Sequence, residues 1–404
     1  MATGEPLGSQ RRATLRILHV VPSYLPAWRY GGPIRSVHGL AKAQAAAGDR
    51  VEVFTTNADG PGSLDVPTQH AVDVEGVGVW YFPCGRPRRL YRSVPLRRAL
   101  ASRAGEFDVV HLHSVYLWPT LVGARAAERA RVPYFVSPRG MLVGSLIAER
   151  GTLRKRAWIR LFERHTLERA AGIVLQSELE RRELEDLGLA LAPTHVVPNG
   201  IDLEEAFSSD SGSAPKWVDD LVSAPYVLFL GRLSWKKGIG RLIEAIRETE
   251  GVNLVIAGND DEALTPELKR QAGAAGVSHR VLFVGEARGA TKWSLLRNAR
   301  AFCLPSTSEN FGIAAVEAMA VGTPTIVSPE VGLASNDAVR AGLLVAPADS
   351  ESLASAIRWT LEESEALAVL RETAKRVVRE ELCWAKIARD VREIYLGSHV
   401  LPLP

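Results

Sequence analysis

The chain has 404 residues, 46% hydrophobic and 24% charged, with a formal net charge of +3. That length exceeds one ordinary core, so two domains are expected, and so small a net charge excludes a polycation built to neutralise a nucleic-acid backbone. Cys84, Cys303 and Cys383 lie far apart without a CxxC spacing, which argues against a zinc site or disulfide framework and makes a reducing cytoplasm the expected setting.

The N-terminal MATGEPLGSQRRATLRILHVVPSYLP lacks the basic start, apolar stretch and cleavage site of a signal peptide, and no membrane span is expected. The first strand is LRILHVVP (Leu15 to Pro22), a near-continuous apolar run. Gly31 and Gly32 follow in the loop RYGGPIRSVHG, where the absence of side chains lets the backbone approach a ligand. A helix through SVHGLAKAQAAAGD and the strand VEVFTT complete a βαβ unit, and the alternation continues through DVVHLH, LVGARAAERA, PYFVSP, AGIVLQS and THVVPNG. His111 and His113 alternate with apolar residues in DVVHLH, with one expected to point away from the other; a histidine there is by default a satisfied structural group. Ser137 and Arg139 follow in SPRGML after the next strand.

Two stretches are locally basic, Gly85 to Arg103 and Arg150 to Arg169. The second puts Leu153, Ala157, Trp158, Leu161 and Phe162 on one helical face among arginines, the pattern of an interfacial helix. Between Ile201 and Pro225 the pattern dissolves into a Ser-, Asp-, Gly- and Pro-rich connection, read as a domain boundary.

The second series runs YVLFLG, GIGRLIEAIRE, NLVIAG, VLFVG, ARAFCLPS, IAAVEAMAVG, PTIVSP, GLLVAP and SLASAIRWTLEE. Its first loop, GRLSWKKG from Gly231 to Gly238, brackets a short turn with Arg232 and Lys237; a planar fork and a mobile point charge can clamp a diphosphate, while Lys236 reads as solvated. In STSENFGIAAVEAMAVGTP a polar loop gives way to a helix near Gly312 or Ile313, whose first amides offer donors and partial positive charge to a phosphate. Glu309 sits in the loop and Glu317 about one turn into the helix, both expected at the cleft mouth as acceptors for sugar hydroxyls. The last segment, LCWAKIARDVREIYLG, is an amphipathic helix.

The segment from Glu309 to Pro324 resembles the ExFGxxxxEAMAxGxP signature of retaining glycosyltransferases of the GT-B fold, in particular family 4, and Gly231 to Gly238 is similar to that family's GRxxxxKG pattern. The resemblance spans nearly the whole chain. It implies an α/β fold of two Rossmann-like doubly wound domains facing across a cleft. Residues 14–205 would form the acceptor-binding domain, with the helix at about 384–398 packed back onto it, and residues 222–383 the nucleotide-sugar-binding domain. Glu309 would contact hydroxyls of the transferred sugar; Gly312 and Ile313, with Asn310 and Phe311 in the same motif, would meet the donor through the backbone; Glu317 would hold the ribose. Gly31, Gly32 and Gly231 would approach the donor, Arg232 and Lys237 its diphosphate, His113 the transferred sugar, and Ser137 and Arg139 the acceptor.

The activity so implied is hexosyl transfer with retention from a UDP- or GDP-sugar to a glycan, lipid-linked or small-molecule acceptor, as in bacterial polysaccharide biosynthesis. No DxD motif is present, so neither a metal nor any other cofactor is expected. Because many members act on lipid-linked acceptors, peripheral contact at the inner membrane face is a second expectation for this otherwise cytoplasmic chain. The alternatives on the same fold are a sugar-nucleotide epimerase and a non-catalytic sugar-nucleotide-binding protein; the latter would be expected to lack Glu309 or Arg232.

Overall fold

A computed structural model describes residues 14–28, 31–142, 162–207 and 224–398. The interfacial-helix expectation through Leu153, Ala157, Trp158 and Leu161 therefore lies outside the described residues, as does most of the connection between Ile201 and Pro225.

The apolar run at the start becomes β1 (Arg16–Ser23), buried at every residue after its first. A strand with no polar face needs cover on both sides, and helices supply it. The first sheet adds β2 (Arg50–Thr56), β5 (Ala71–Val74), β6 (Val77–Phe82), β7 (Val109–His113), β8 (Tyr134–Ser137), β9 (Gly172–Leu175) and β10 (Thr194–Val196), with a small hairpin of β3 (Ala58–Asp59) and β4 (Gly62–Ser63) outside it. Its order is β10-β9-β8-β7-β1-β2-β6-β5, and all pairs are parallel except β5 with β6. The β5–β6 hairpin was not among the expected strands; its tight turn runs through Glu75 and Gly76, both at positive φ (52° and 84°).

The second sheet contains β11 (Tyr226–Leu230), β12 (Asn253–Ala257), β13 (Val281–Gly285), β14 (Ala301–Leu304), β15 (Thr325–Val327) and β16 (Leu344–Val345), ordered β13-β12-β11-β14-β15-β16 and parallel throughout. Among the described residues, the helices of at least eight residues are α1 (Gly32–Ala46), α2 (Val94–Arg103), α3 (Trp118–Ala130), α4 (Glu178–Glu185), α5 (Ile239–Arg247), α6 (Thr265–Ala274), α7 (Gly289–Asn298), α8 (Ile313–Ala320), α9 (Ser350–Leu361), α10 (Glu365–Glu381) and α11 (Trp384–Ser398). None is long and apolar enough to cross a membrane.

Strand order reverses beside β1, flanked by β2 and β7, and beside β11, flanked by β12 and β14. Such reversals open a crevice at the carboxyl ends of the strands. The loops after β1, β7, β11 and β14 carry most of the candidate residues, so topology alone gathers sequence-distant motifs.

Helix α11 lies on α1, burying Ile387, Ala388, Val391 and Tyr395 in the core of the first sheet. Trp384 fills the space over Gly39 and Gly200, where any Cβ would collide with its ring, and Arg392 reaches the buried Asp49 at 3.2 Å. The two strands of chain that pass between the domains run side by side, with the Ile201 amide donating to the Leu382 carbonyl at 2.9 Å.

Candidate functional site

On the second domain's wall, β11 ends at Leu230 and the chain turns through Gly231 into a single 3-10 turn, Trp235–Lys237. Gly238 closes the loop at φ 66°, so close to the Pro305 carbonyl that a Cβ would collide with it, and the Thr307 amide donates to the Lys236 carbonyl at 2.7 Å. Seated this way on the loop after β14, Lys237 forms an ion pair with Glu309, each side chain about one-fifth exposed (17% and 21%). Arg232 is exposed and pairs with no acid among the described residues. The loop thus offers one uncommitted guanidinium and one ammonium held in place by a carboxylate for which a ligand's hydroxyls can compete.

Helix α8 starts at Gly312, whose φ of 97° and lack of a side-chain cap leave the first amides without intrahelical acceptors. Opposite it, α1 starts at Gly31 with φ 67° and again no side-chain cap. A Cβ on Gly32 would lie 3.2 Å from the Ile313 Cδ1, so the two helix starts face each other across the cleft. Each presents unsatisfied N–H groups and the positive end of its dipole, and together they favour an anion between them.

The residues between Glu309 and Gly312 hold this geometry. Phe311 is only 3% exposed and belongs to the second core. Asn310 crosses to the first domain: its Nδ2 donates to Gln176 Oε1 at 2.8 Å and its carbonyl accepts from Ser177 Oγ at 3.1 Å. A Cβ on Gly140 would approach Asn310 to 2.8 Å. One turn into α8, Glu317 Oε1 accepts from Lys292 Nζ at 2.8 Å. A cavity of about 1040 Å³ runs along this flank between α1, α8 and α11, walled by Arg35, Gly39, Ile313, Glu317 and Trp384 among others; Arg232, Lys237 and Glu309 are not among its walls.

The first domain's wall differs from expectation. His111 and His113 share a face, their ring centroids 4.2 Å apart, because side chains two residues apart on a strand point the same way. Both are wholly buried, with His19 of β1 beside them. Arg139 donates through Nε to His113 Nδ1 at 3.2 Å. A guanidinium can only donate, so the His113 proton sits on Nε2 and is given to His19 Nδ1 at 2.8 Å; His19 Nε2 then donates to Gln44 Oε1, also at 2.8 Å. His111 bonds Tyr395 of α11 at 2.6 Å and Ser137 at 2.9 Å.

Burial pulls the His19 pKa down to about 4 and holds His111 and His113 well below the usual imidazole value, with the Arg139 charge adding to the effect on each. Burial likewise lowers Arg139 to about 10. The three rings are near enough to share a metal ion, but all six ring nitrogens already have partners. His113 reaches the cleft through Arg139, whose Nη1 bonds Ser36 of α1 at 2.7 Å.

The structure therefore brings Gly31, Gly32, Gly312 and Ile313 together, pairs Lys237 with Glu309, joins His113 and Arg139 in one buried relay, and bonds Ser137 to His111 beside it. Sequence reading missed His19, Gln44 and Lys292. Lys292 carried a signal: it stands in ATKWSLLRN beside Trp293, Leu295 and Leu296, all buried, so a lysine occupies an apolar helical face.

Residues 31–200 match the family described as Glycosyl transferase 4-like domain, and residues 220–377 the family described as Glycosyl transferases group 1. The phosphatidyl-myo-inositol mannosyltransferase of Mycobacterium leprae is 31% identical over 393 residues, 90% of this chain and 92% of that one. The D-inositol 3-phosphate glycosyltransferase of Jonesia denitrificans is 28% identical over 421 residues, 96% of each. Among solved structures, sucrose-phosphate synthase from Thermosynechococcus elongatus superposes with a TM-score of 0.73 at 21% identity, covering 96% of this chain and 99% of that one. Anabaena Alr3699/HepE in complex with UDP-glucose does so with a TM-score of 0.70 at 21% identity, covering 95% and 100%. The two-sheet architecture is the GT-B fold that these neighbours share.

Proposed function

Because the chain belongs to the group 1 glycosyltransferases, we propose that it transfers a hexose or hexose derivative, with retention, from a nucleoside diphosphate to a glycan, lipid-linked or small-molecule acceptor. The observation that carries the donor class is the meeting of two uncapped helix starts, at Gly31–Gly32 and at Gly312–Ile313, with Lys237 held on the loop before the second by its ion pair with Glu309. Two helix N-termini facing each other, with cationic side chains on the neighbouring loop after β11, suit a diphosphate. The solved neighbour with bound UDP-glucose supports the same reading.

In this reading the bond from the anomeric carbon to the diphosphate breaks while one forms to the acceptor oxygen on the same face, and the acceptor proton passes to the departing diphosphate. Arg232, Lys237 and the helix amides stabilise the charge that develops there. Glu309 orients the sugar through its hydroxyls, Glu317 holds the ribose, and no side chain forms a covalent link. The cationic groups of the chain suffice for the diphosphate, so we propose that transfer needs no metal ion.

The test is a panel of UDP-, GDP- and ADP-sugars, read by protection against thermal unfolding and by slow hydrolysis of the donor. Protection by at least one is expected; none would overturn the assignment. NMR of the product's anomeric carbon checks retention, and full activity in EDTA checks the metal.

A cytoplasmic setting with peripheral membrane contact completes the proposal. No acid occurs between Gly76 and Gly105, and Arg86, Arg89, Arg92, Arg97 and Arg98 are exposed within that stretch. Sedimentation with anionic vesicles at low salt is expected, and its absence would remove this element.

A further inference from the structure

Lysine is rarely buried unless its charge is answered, and Lys292 is 4% exposed. Its Nζ donates to Glu317 Oε1 at 2.8 Å and to Glu205 Oε1 at 3.3 Å, and lies 4.1 Å from the centre of the Trp293 ring. Both carboxylates line the cavity but differ in exposure: the Glu317 side chain on α8 is 12% exposed, whereas that of Glu205, on the segment joining the domains, is 48% exposed. The ammonium is thus anchored on an aromatic face and shared between an inner and an outer acid.

We infer that Lys292 is a positioning residue for the donor's ribose, acting through Glu317. The inference rests on the reading of Glu317 as the ribose-binding group. The Lys292 bond engages Oε1 alone, and no described residue donates to Oε2. A carboxylate fixed at one oxygen presents the other in a single orientation, as an acceptor for a ribose hydroxyl. Without the ammonium, Glu317 would have several rotamers to choose from, and ordering it would fall to the ligand. Glu205 is the outer, more exposed partner: at 3.3 Å from Nζ it neutralises part of the lysine charge and leaves the orientation of Glu317 to the lysine.

The experiment compares binding of matched ribo and 2′-deoxyribo diphosphates (UDP and dUDP, GDP and dGDP, ADP and dADP) by calorimetry in wild type, Lys292→Met, Lys292→Gln and Glu205→Gln. Wild type is expected to favour the ribonucleotide of one pair by about tenfold, the value of one well-made hydrogen bond. Lys292→Met should weaken that ribonucleotide and bring the ratio within about threefold, leaving the deoxy affinity nearly unchanged. Lys292→Gln, which still donates to Glu317, should fall between them; Glu205→Gln should keep the wild-type ratio.

An unchanged ratio in Lys292→Met, with only its thermal midpoint lowered, would overturn the inference and leave Lys292 as a structural tie. If Lys292→Met does not fold, a wild-type ratio in Lys292→Gln has the same force. Wild type binding none of the six diphosphates would instead bring down the donor reading itself.

Discussion

The two walls of the cleft are built on opposite plans. The second domain presents charges in pairs, the partly exposed Lys237 with Glu309 and the buried Lys292 with Glu317, separated by uncapped helix amides. The first domain presents a buried relay in which the Arg139 guanidinium, His113, His19 and Gln44 hand hydrogen bonds inward in one direction. Paired charges near solvent can trade partners with a ligand at modest cost, whereas a buried relay cannot open without stranding a further donor or acceptor. The second wall is built to exchange contacts with a charged ligand, and the first to hold Arg139 and the start of α1 still.

The sharpest way to break that contrast is to remove an exchangeable group. Glu309→Gln should lower kcat/KM by about a thousandfold, roughly 4 kcal/mol, because the sugar loses its charged acceptor and Lys237 loses its carboxylate. Initial rates at donor concentrations well below KM, with an unaltered thermal midpoint, check it; a loss below tenfold would place the sugar elsewhere. Arg232→Ala comes next, with kcat reduced by about a hundredfold. As an exposed side chain without an acid partner among the described residues, Arg232 should cost little stability when removed. A large drop in the unfolding midpoint would mean that the guanidinium serves the fold and not the ligand.

Why one wall could be read from sequence and the other could not follows from how each is assembled. Glu309, Gly312, Ile313 and Glu317 occupy nine consecutive positions, and Arg232 and Lys237 one short loop, so local strand-loop-helix grammar already places them at a sheet edge. The buried cluster of that relay and the neighbouring His111 joins residues from β1, α1, β7, β8, the loop after β8 and α11, and its His111–Tyr395 bond spans 284 residues. Nothing local announces such a contact. The strand alternation in DVVHLH did contain the clue that His111 and His113 share a face, and the expectation that they diverge misread that period. The packing of α11 on α1 brings Tyr395 to His111, a partner that the helix's own amphipathic pattern does not specify.

Acid separates the walls by stability. His19, His111 and His113 have folded pKa values below the unfolded value of about 6.5, so the unfolded chain takes up more protons as the pH falls. The stability they contribute is complete above about pH 6.5 and is lost as pH falls toward the His19 value of about 4, each ring costing at most about 1.4 kcal/mol per pH unit. Denaturant midpoints between pH 7 and 4.5 should fall, and His19→Gln should flatten the fall. An equally steep fall in that variant would take the relay out of the acid response.

The smallest effect expected tests whether the relay reaches the C-terminal helix. Tyr395→Phe keeps the ring that packs 5.0 Å from Phe135 and removes only the hydroxyl bonded to His111. Leaving one buried imidazole nitrogen without a partner should cost about 1 to 2 kcal/mol of stability. The Ser137 bond on the other nitrogen remains, so His111 can keep its place, and donor affinity on the opposite wall should be unchanged. A donor Kd that weakens along with stability would show that α11 couples to the nucleotide site through α1, whose first residues face Ile313. The two walls would then form one mechanical unit, and the contrast between an exchanging wall and a fixed one would describe their chemistry but not their motion.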